Sequence, residues 1–220
     1  MTISTDRTTT PLDVPTAILQ RRAIKSFKPD AIAPELLHQL VELTVAAPSS
    51  YNVQDWKIIL VQDPEQKQAL AAAAFNQQQI IQAPVTFVFA AVPEAAEGDL
   101  TPIFNEALDR GAWTQQTVDY FETAIPGFQQ QLGDKRREYA IKDAMIAATH
   151  TALAAESLGL SSCYMNGWAE DQVKAVIGAA DDLAIALLLS IGYAAESRKN
   201  PGRLPLSANV FVDRIGNRYQ

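Results

Sequence analysis

The run Ala47-Pro48-Ser49-Ser50-Tyr51-Asn52-Val53-Gln54-Asp55-Trp56 offers two serine hydroxyls and two carboxamides, with no carboxylate before Asp55. Such an uncharged set of donors and acceptors can meet the carbonyls and nitrogens of a planar, heteroatom-rich ligand without burying a charge. Pro, Ser and Asn are also ordinary turn residues, so a plain helix-to-strand turn is the competing reading. Upstream, Arg21-Arg22-Ala23-Ile24-Lys25-Ser26-Phe27 places three cations within five residues. They suit a phosphate monoester, which Arg holds through two parallel hydrogen bonds. A solvated helix end accounts for them equally well, since cations favour helix C-termini. Downstream, Cys163-Tyr164-Met165-Asn166-Gly167-Trp168 closes a strand. Gly167 there would let backbone N–H groups approach a flat ligand closely; a simple strand-to-helix turn is the alternative. Finally, Pro201-Gly202-Arg203-Leu204-Pro205 holds an Arg that could close on an anion, or that is merely an exposed charge on an arm.

Composition removes several classes. The chain has 220 residues, is 48% hydrophobic and carries a net charge of -7. That is enough apolar material for one buried core and too acidic for a nucleic-acid groove, because Arg21-Arg22 and Lys135-Arg136-Arg137 are short. The most apolar runs, residues 83–92 and 183–193, fall short of the roughly 18–20 residues that span a bilayer. No signal-peptide core is legible in the Thr-rich start, and residues 1–11 read as a disordered leader. A single cysteine, Cys163, excludes an internal disulfide and fits a reducing, cytoplasmic setting. With only His38 and His150 beside it, no His or Cys zinc site can be assembled. Neither a G-x-G-x-x-G turn, a P-loop nor a G-x-S-x-G elbow is present. Cys163 has no basic neighbour in sequence and reads as a buried strand residue; Trp56 and Trp168 read as packing residues, and His150 as a hydrogen-bonded core or interface group.

These segments need elements to hold them. Asp13 is a candidate N-cap, and Pro34 and Pro64 stand where first helical residues belong. Strands are expected over residues 56–61, 84–92, 161–165 and 183–193, the last a continuous apolar run that suits a strand covered on both faces. Residues 100–131 are expected to be helical, broken at Gly111 and at Pro126-Gly127. Residues 138–160 form a long helix, apolar or small on most of its circumference, which implies burial nearly all round by a core or by a partner subunit. The tail from residue 200 reads as an arm. The sum is an α+β layered domain, a central sheet with helices on both sides.

Taken together, the four segments resemble the FMN-dependent nitroreductase family over about residues 12–214. The family pattern R-R-S-x-R/K-x-F stands here as Arg21 to Phe27, A-P-S-S-x-N-x-Q-P-W as Ala47 to Trp56, C-P-M-x-G-F as Cys163 to Trp168, and R-L-P as Arg203-Leu204-Pro205. The resemblance implies a layered sandwich with a mostly antiparallel central sheet, in an intertwined homodimer with FMN at the subunit interface. It implies one domain over residues 12–220, a helical lid or insertion over about 98–134, and a C-terminal arm over about 200–220. Arg21, Arg22 and Arg203 would then bind the phosphate and ribityl end of FMN. Lys25 would face N1 and O2 of the ring, with Ala23 beside it. Pro48, Ser49, Ser50 and Asn52 would reach in from the other subunit. Asn76 would touch the ring, and Met165, Asn166 and Gly167 would offer main chain to N5 and O4. Three departures stand out: Ala23 for Ser, which removes a hydrogen bond of roughly 0.5–1.5 kcal/mol; Asp55 for Pro; and Asn166 for Glu or Gly.

The activity so implied is hydride transfer from NADH or NADPH through FMN to a quinone, nitroaromatic or similar small electrophile, in a ping-pong cycle. Lys25 would stabilise the negative charge of the reduced ring. No acid–base pair is then required, because the cofactor carries the chemistry. Two other readings are a non-hydride flavoenzyme on the same fold, performing dehalogenation or oxidative remodelling, and a dimeric flavin-binding or stress protein without turnover. Neither nucleic acid nor membrane is an expected partner.

Overall fold

The computed structural model describes residues 10–219. The expected leader over residues 1–11 falls mainly on residues 1–9, outside the described residues. Four strands, β1 (Trp56–Val61), β2 (Val85–Ala91), β3 (Ser161–Met165) and β4 (Ala184–Gly192), form one sheet in the order β1-β2-β4-β3, each neighbouring pair antiparallel. Every residue of β2 and β4 is buried, which explains why their sequences run apolar without alternation. Phe87, Phe89, Leu187, Leu189 and Ile191 pack into one layer, whereas Val88, Ala90 and Leu188 pack into the other. A bulge opposite Phe89 and Ala90 lets Ala186 and Leu187 join the same layer.

The helices are α1 (Val14–Gln20), α2 (Pro34–Val45), α3 (Pro64–Ala73), α4 (Gln78–Gln82), α5 (Thr101–Asp109), α6 (Gln115–Leu132), α7 (Arg136–Ser157), α8 (Glu170–Ile177) and α9 (Leu206–Asn209). Asp13 caps α1 by accepting the Thr16 N–H at 2.8 Å, and Asp63 caps α3 through Glu65 and Gln66. Proline opens α2 and α3, as its fixed φ allows. Helices α2 and α7 cover one sheet face; α3, α4 and α8 cover the other.

On α7, Ala140, Ala144, Ala147, Ala148, Ala152 and Ala155 are buried, so small side chains let the helix lie close on the sheet and α2. Thr151 and Thr44 join α7 to α2 through a buried hydroxyl pair at 2.9 Å. Burial is not complete all round, however. Lys142, Ile146, Thr149 and His150 form an exposed stripe, so His150 is no core group in the single chain. A second correction concerns α6, which runs unbroken through Pro126-Gly127. Proline removes one i→i−4 bond, but burial of Val118 and Ile125 and the ring contacts of Phe121 and Phe128 hold the helix on either side. The break at Gly111 does occur, where φ is +66°.

Residues 23–28 line the end of the sheet. Ala23 makes a parallel bridge to Ser162, Ile24 N–H bonds the Ser162 carbonyl at 3.1 Å, and Lys28 N–H bonds the Tyr193 carbonyl at 2.8 Å. This close approach depends on Gly192. A Cβ there would stand 2.4 Å from Pro84 Cδ and 3.2 Å from Phe27 Cδ1. Gly192→Ala is therefore expected to cost about 1–3 kcal/mol through overpacking. In a thermal melt the midpoint should fall by roughly 2–12 °C; an unchanged midpoint would show that Pro84 and Phe27 yield freely.

Candidate functional site

The C-terminal end of α1 delivers the cations. Asp13 and Pro15 start the helix, and the chain leaves it at Arg21, whose N–H still bonds the Ala17 carbonyl at 3.0 Å. Arg21, Arg22, Ala23 and Arg203 line one cleft of about 770 Å³, with Ile18, Leu19 and Leu153 among its apolar walls. The Arg21 guanidinium lies over the Tyr164 ring, 5.3 Å from its centroid. Arg22 is pinned by its own turn, donating to the Leu19 and Arg21 carbonyls at 2.7 and 2.8 Å. Among the described residues, Arg21, Arg22, Lys25 and Arg203 form no ion pair. Glu156 lies near enough to feel the charges of Arg21 and Arg22, but cations in this number on a chain of net charge -7 still make a local field for an anion.

Sequence reading missed three contributors to this end of the molecule. Arg198 and Lys199 also line the cleft. Glu196 accepts the backbone N–H groups of Lys25 and Ser26 at 2.8 and 3.1 Å and pairs with Arg198 at 2.7 Å. These bonds hold its carboxyl below the usual range, Arg198 first among the causes. Glu196 thus fixes the main chain that carries Lys25, whose side chain is exposed. The signal was present as an acidic and basic cluster at residues 196–199, but its contact with residue 25 spans the whole chain.

The Ser-Ser-Tyr-Asn loop lies elsewhere. Asp143 of α7 receives the Ser50 N–H at 2.9 Å, and Ser49 Oγ accepts the Gln54 N–H at 2.8 Å. Tyr51, Asn52 and Gln54 all have positive φ, between 52° and 57°, a conformation that costs non-glycine residues energy. None of Pro48, Ser49, Ser50 or Asn52 lines the cation cleft of its own chain. Asp143 and Leu153, which touch the two regions, stand ten residues apart on α7, about 15 Å along its axis.

A third group does converge. The turn holding Asn76 packs on the turn holding Asn166 and Gly167: Gln77 donates to the Gly167 carbonyl at 3.0 Å, and a Cβ on Gly167 would lie 3.4 Å from the Phe75 ring. Phe75 and Asn76 both have positive φ. Asn166 is exposed, whereas Met165 is 2% exposed with its side chain in the core, so only its main chain can face a ligand. Cys163 is fully buried, and Trp56 and Trp168 pack into the cores, as expected.

Asp55 departs most from ordinary behaviour. It is 5% exposed, and its Oδ1 has no hydrogen-bond partner. Burial, then the Asp143 charge and hydrogen bond, push its carboxyl up to about 7, against the pull of its own backbone N–H. The residues 98–134 that follow β2 rest on the same region: Tyr51 meets Phe121 at 5.4 Å and Phe128 at 5.9 Å, and Phe128 meets Tyr139 at 5.3 Å between centroids. Among the described residues no group of three metal-ligating side chains occurs, and no helix is long and apolar enough to cross a membrane.

An antiparallel sheet between two helical layers, with a cationic cleft at the end of the first helix, defines a layered α+β protein. The family model described as the Nitroreductase family matches residues 18–193. The chain belongs to the nitroreductase family. It is 32% identical over 200 residues to the NADH dehydrogenase of Thermus thermophilus, covering 91% of this chain and 96% of that protein. It is 30% identical over 193 residues to the FMN reductase (NADPH) of Bacillus subtilis, covering 87% and 70%. An Exiguobacterium sibiricum protein solved in complex with FMN has a TM-score of 0.81 at 25% identity, covering 92% of this chain and 98% of that one.

Proposed function

We propose that this protein is an FMN-dependent NAD(P)H oxidoreductase that passes two electrons to a quinone, nitroaromatic or similar small electrophile, donor and acceptor taking turns at one site. The observation that carries the reading is the set Arg21, Arg22 and Arg203, unpaired and gathered on one cleft of about 770 Å³. That volume lies within the range of cofactor sites, and the donor set suits a phosphate tail. Bound FMN would supply hydride acceptance and donation; the chain's residues bind and orient it. Arg21, Arg22 and Arg203 would hold the phosphate and ribityl end, with Ala23 alongside. Lys25 would offer its charge to the N1 and O2 edge. Asn76 and the main chain of Met165, Asn166 and Gly167 would flank the ring.

The working unit in this reading is a homodimer. Pro48, Ser49, Ser50 and Asn52 do not reach the cleft of their own chain, so a second copy would bring them. The exposed apolar side chains of Ile18, Leu19, Ile146, Leu204, Leu206 and Ile215 support such a partner. Residues 98–134 would roof the acceptor side.

The test is the visible spectrum of the purified protein, with FMN added, before and after anaerobic NADH or NADPH. A flavin band that bleaches with one nicotinamide and returns with a quinone is expected. A colourless protein that takes up no FMN would overturn the reading. Bound flavin that neither nicotinamide bleaches would point to non-hydride flavin chemistry.

A further inference from the structure

The loop of residues 48–54 is held by two carboxylates that the family resemblance does not require. Asp55, standing where the pattern has Pro, and Asp143 are each 5% exposed. Asp143 takes the Ser50 N–H on Oδ2 at 2.9 Å and the Ser50 hydroxyl on Oδ1 at 3.4 Å. Asp55 stands close enough to Asp143 for the two carboxyls to act on one another, and its own Oδ1 has no hydrogen-bond partner. Beside them lies a void of about 10 Å³, lined by Ser50, Asp55, Gln129 and Tyr139 among others, scarcely room for one water. The groups facing the pair are Ser50 and Tyr51 from the loop, Tyr139 from α7 and the neutral Gln129 from α6. Arg136, the cation at the start of α7, is engaged by Glu94, Glu97 and the Gln129 carbonyl. Two buried carboxylates with no cation between them cannot both ionise freely.

We propose that Asp55 and Asp143 share one proton, and that this carboxyl pair acts as a positioning device for the 48–54 loop and, through it, for the cofactor. The inference rests on the reading of that loop as part of the FMN site. Neutral Asp55 donates its proton to Asp143, whose carboxylate then receives Ser50. That anchor, the Ser49–Gln54 bond and the packing of Tyr51 on Phe121 and Phe128 together hold three non-glycine residues at positive φ. When the shared proton leaves, like charges repel across the base of the loop and the anchor loosens.

The direction with pH follows from linkage. A carboxyl whose folded value is raised gives its full stabilisation below the ordinary carboxylate value, about 4, and loses it as pH rises through the folded value. The loop therefore tightens toward acid and loosens above neutrality.

The test compares the whole wild-type protein with Asp55→Asn, a neutral isostere that still donates to Asp143. FMN dissociation constants measured from pH 5.5 to 8.5 should rise at least about fivefold in wild type and change less than about twofold in the variant. The variant shares the phosphate's own titration, so the difference isolates the pair. The flavin-free proteins should differ likewise in melting: wild type loses stability relative to Asp55→Asn as pH rises from about 4 to 7. If that variant fails to fold, Asp143→Asn, which removes the neighbouring charge but leaves Asp55 buried, should make both profiles shallower than in wild type. Parallel profiles in wild type and variant overturn the proposal. If no FMN binds at any pH, the functional reading fails instead, and the flavin-free melts still decide whether the pair shares a proton.

Discussion

Arg21→Ala/Arg203→Ala is expected to weaken FMN binding by about two to four powers of ten, at about 1.5–3 kcal/mol for each charge-assisted hydrogen bond removed. The reason lies in the cleft. Both side chains reach it from segments remote in sequence, and neither forms a direct ion pair among the described residues, although Arg21 feels the charge of the half-buried Glu156. Arg22 stays in place through its bonds to Leu19 and Arg21, main-chain interactions that alanine preserves. Replacing Arg21 also removes its stacking on the Tyr164 ring, so a modest drop in stability accompanies the change. Titration with FMN and with riboflavin, which lacks the phosphate, separates the two effects. FMN should lose its advantage while riboflavin affinity changes little. An FMN constant within threefold of wild type would remove these arginines from the site.

Lys25→Ala is expected to slow reduction of bound flavin by NADH or NADPH by about a hundred- to a thousandfold, comparable to removal of one preorganised electrostatic donor, ~2.7–4 kcal/mol. FMN affinity should fall far less. The main chain at Lys25 is held by Glu196, which accepts the N–H groups of Lys25 and Ser26, and by the Ala23–Ser162 bridge, so its ammonium is presented from a fixed base. The side chain itself is exposed and forms no ion pair among the described residues, free to meet a ring edge. Lys25→Arg should recover part of the rate, because charge is kept while geometry is altered. Anaerobic stopped-flow mixing at saturating flavin gives the measurement. A reduction rate unchanged in Lys25→Ala would exclude this residue from hydride transfer.

Much of this architecture is legible in the chain. The strands β2 and β4 announce themselves through apolar runs broken only by Thr86 and Ser190, because a sheet covered on both faces leaves no solvent side to impose alternation. Asp13, Pro34 and Pro64 mark helix starts through local chemistry alone. The cations at residues 21–25 and 203 carry a ligand class in their types. Pro126 misled, since a local rule forecasts a break where distant packing of Phe121, Ile125 and Phe128 holds the helix whole. Of the two readings of His150, core or interface group, its exposure in the single chain leaves the interface, because a helix rich in alanine need not be covered on every side by its own chain.

Asp143 shows where local reading ends. It is an acidic residue on a helix face otherwise made of buried alanines and Thr151. Its partners, Ser50 and Asp55, lie some ninety positions away, and only folding reveals that the carboxylate anchors a loop. The chain by itself determined the elements and the chemical kinds of its candidate ligands, because capping, proline geometry and apolar patterning act over a few residues. Tertiary structure decided which of them meet. Arg21 joined Arg203, Glu196 took hold of the backbone at Lys25, and α7 anchored the serine loop ten residues along its length from the residue that lines the cationic cleft, because helix packing and sheet register act between segments that no local pattern connects.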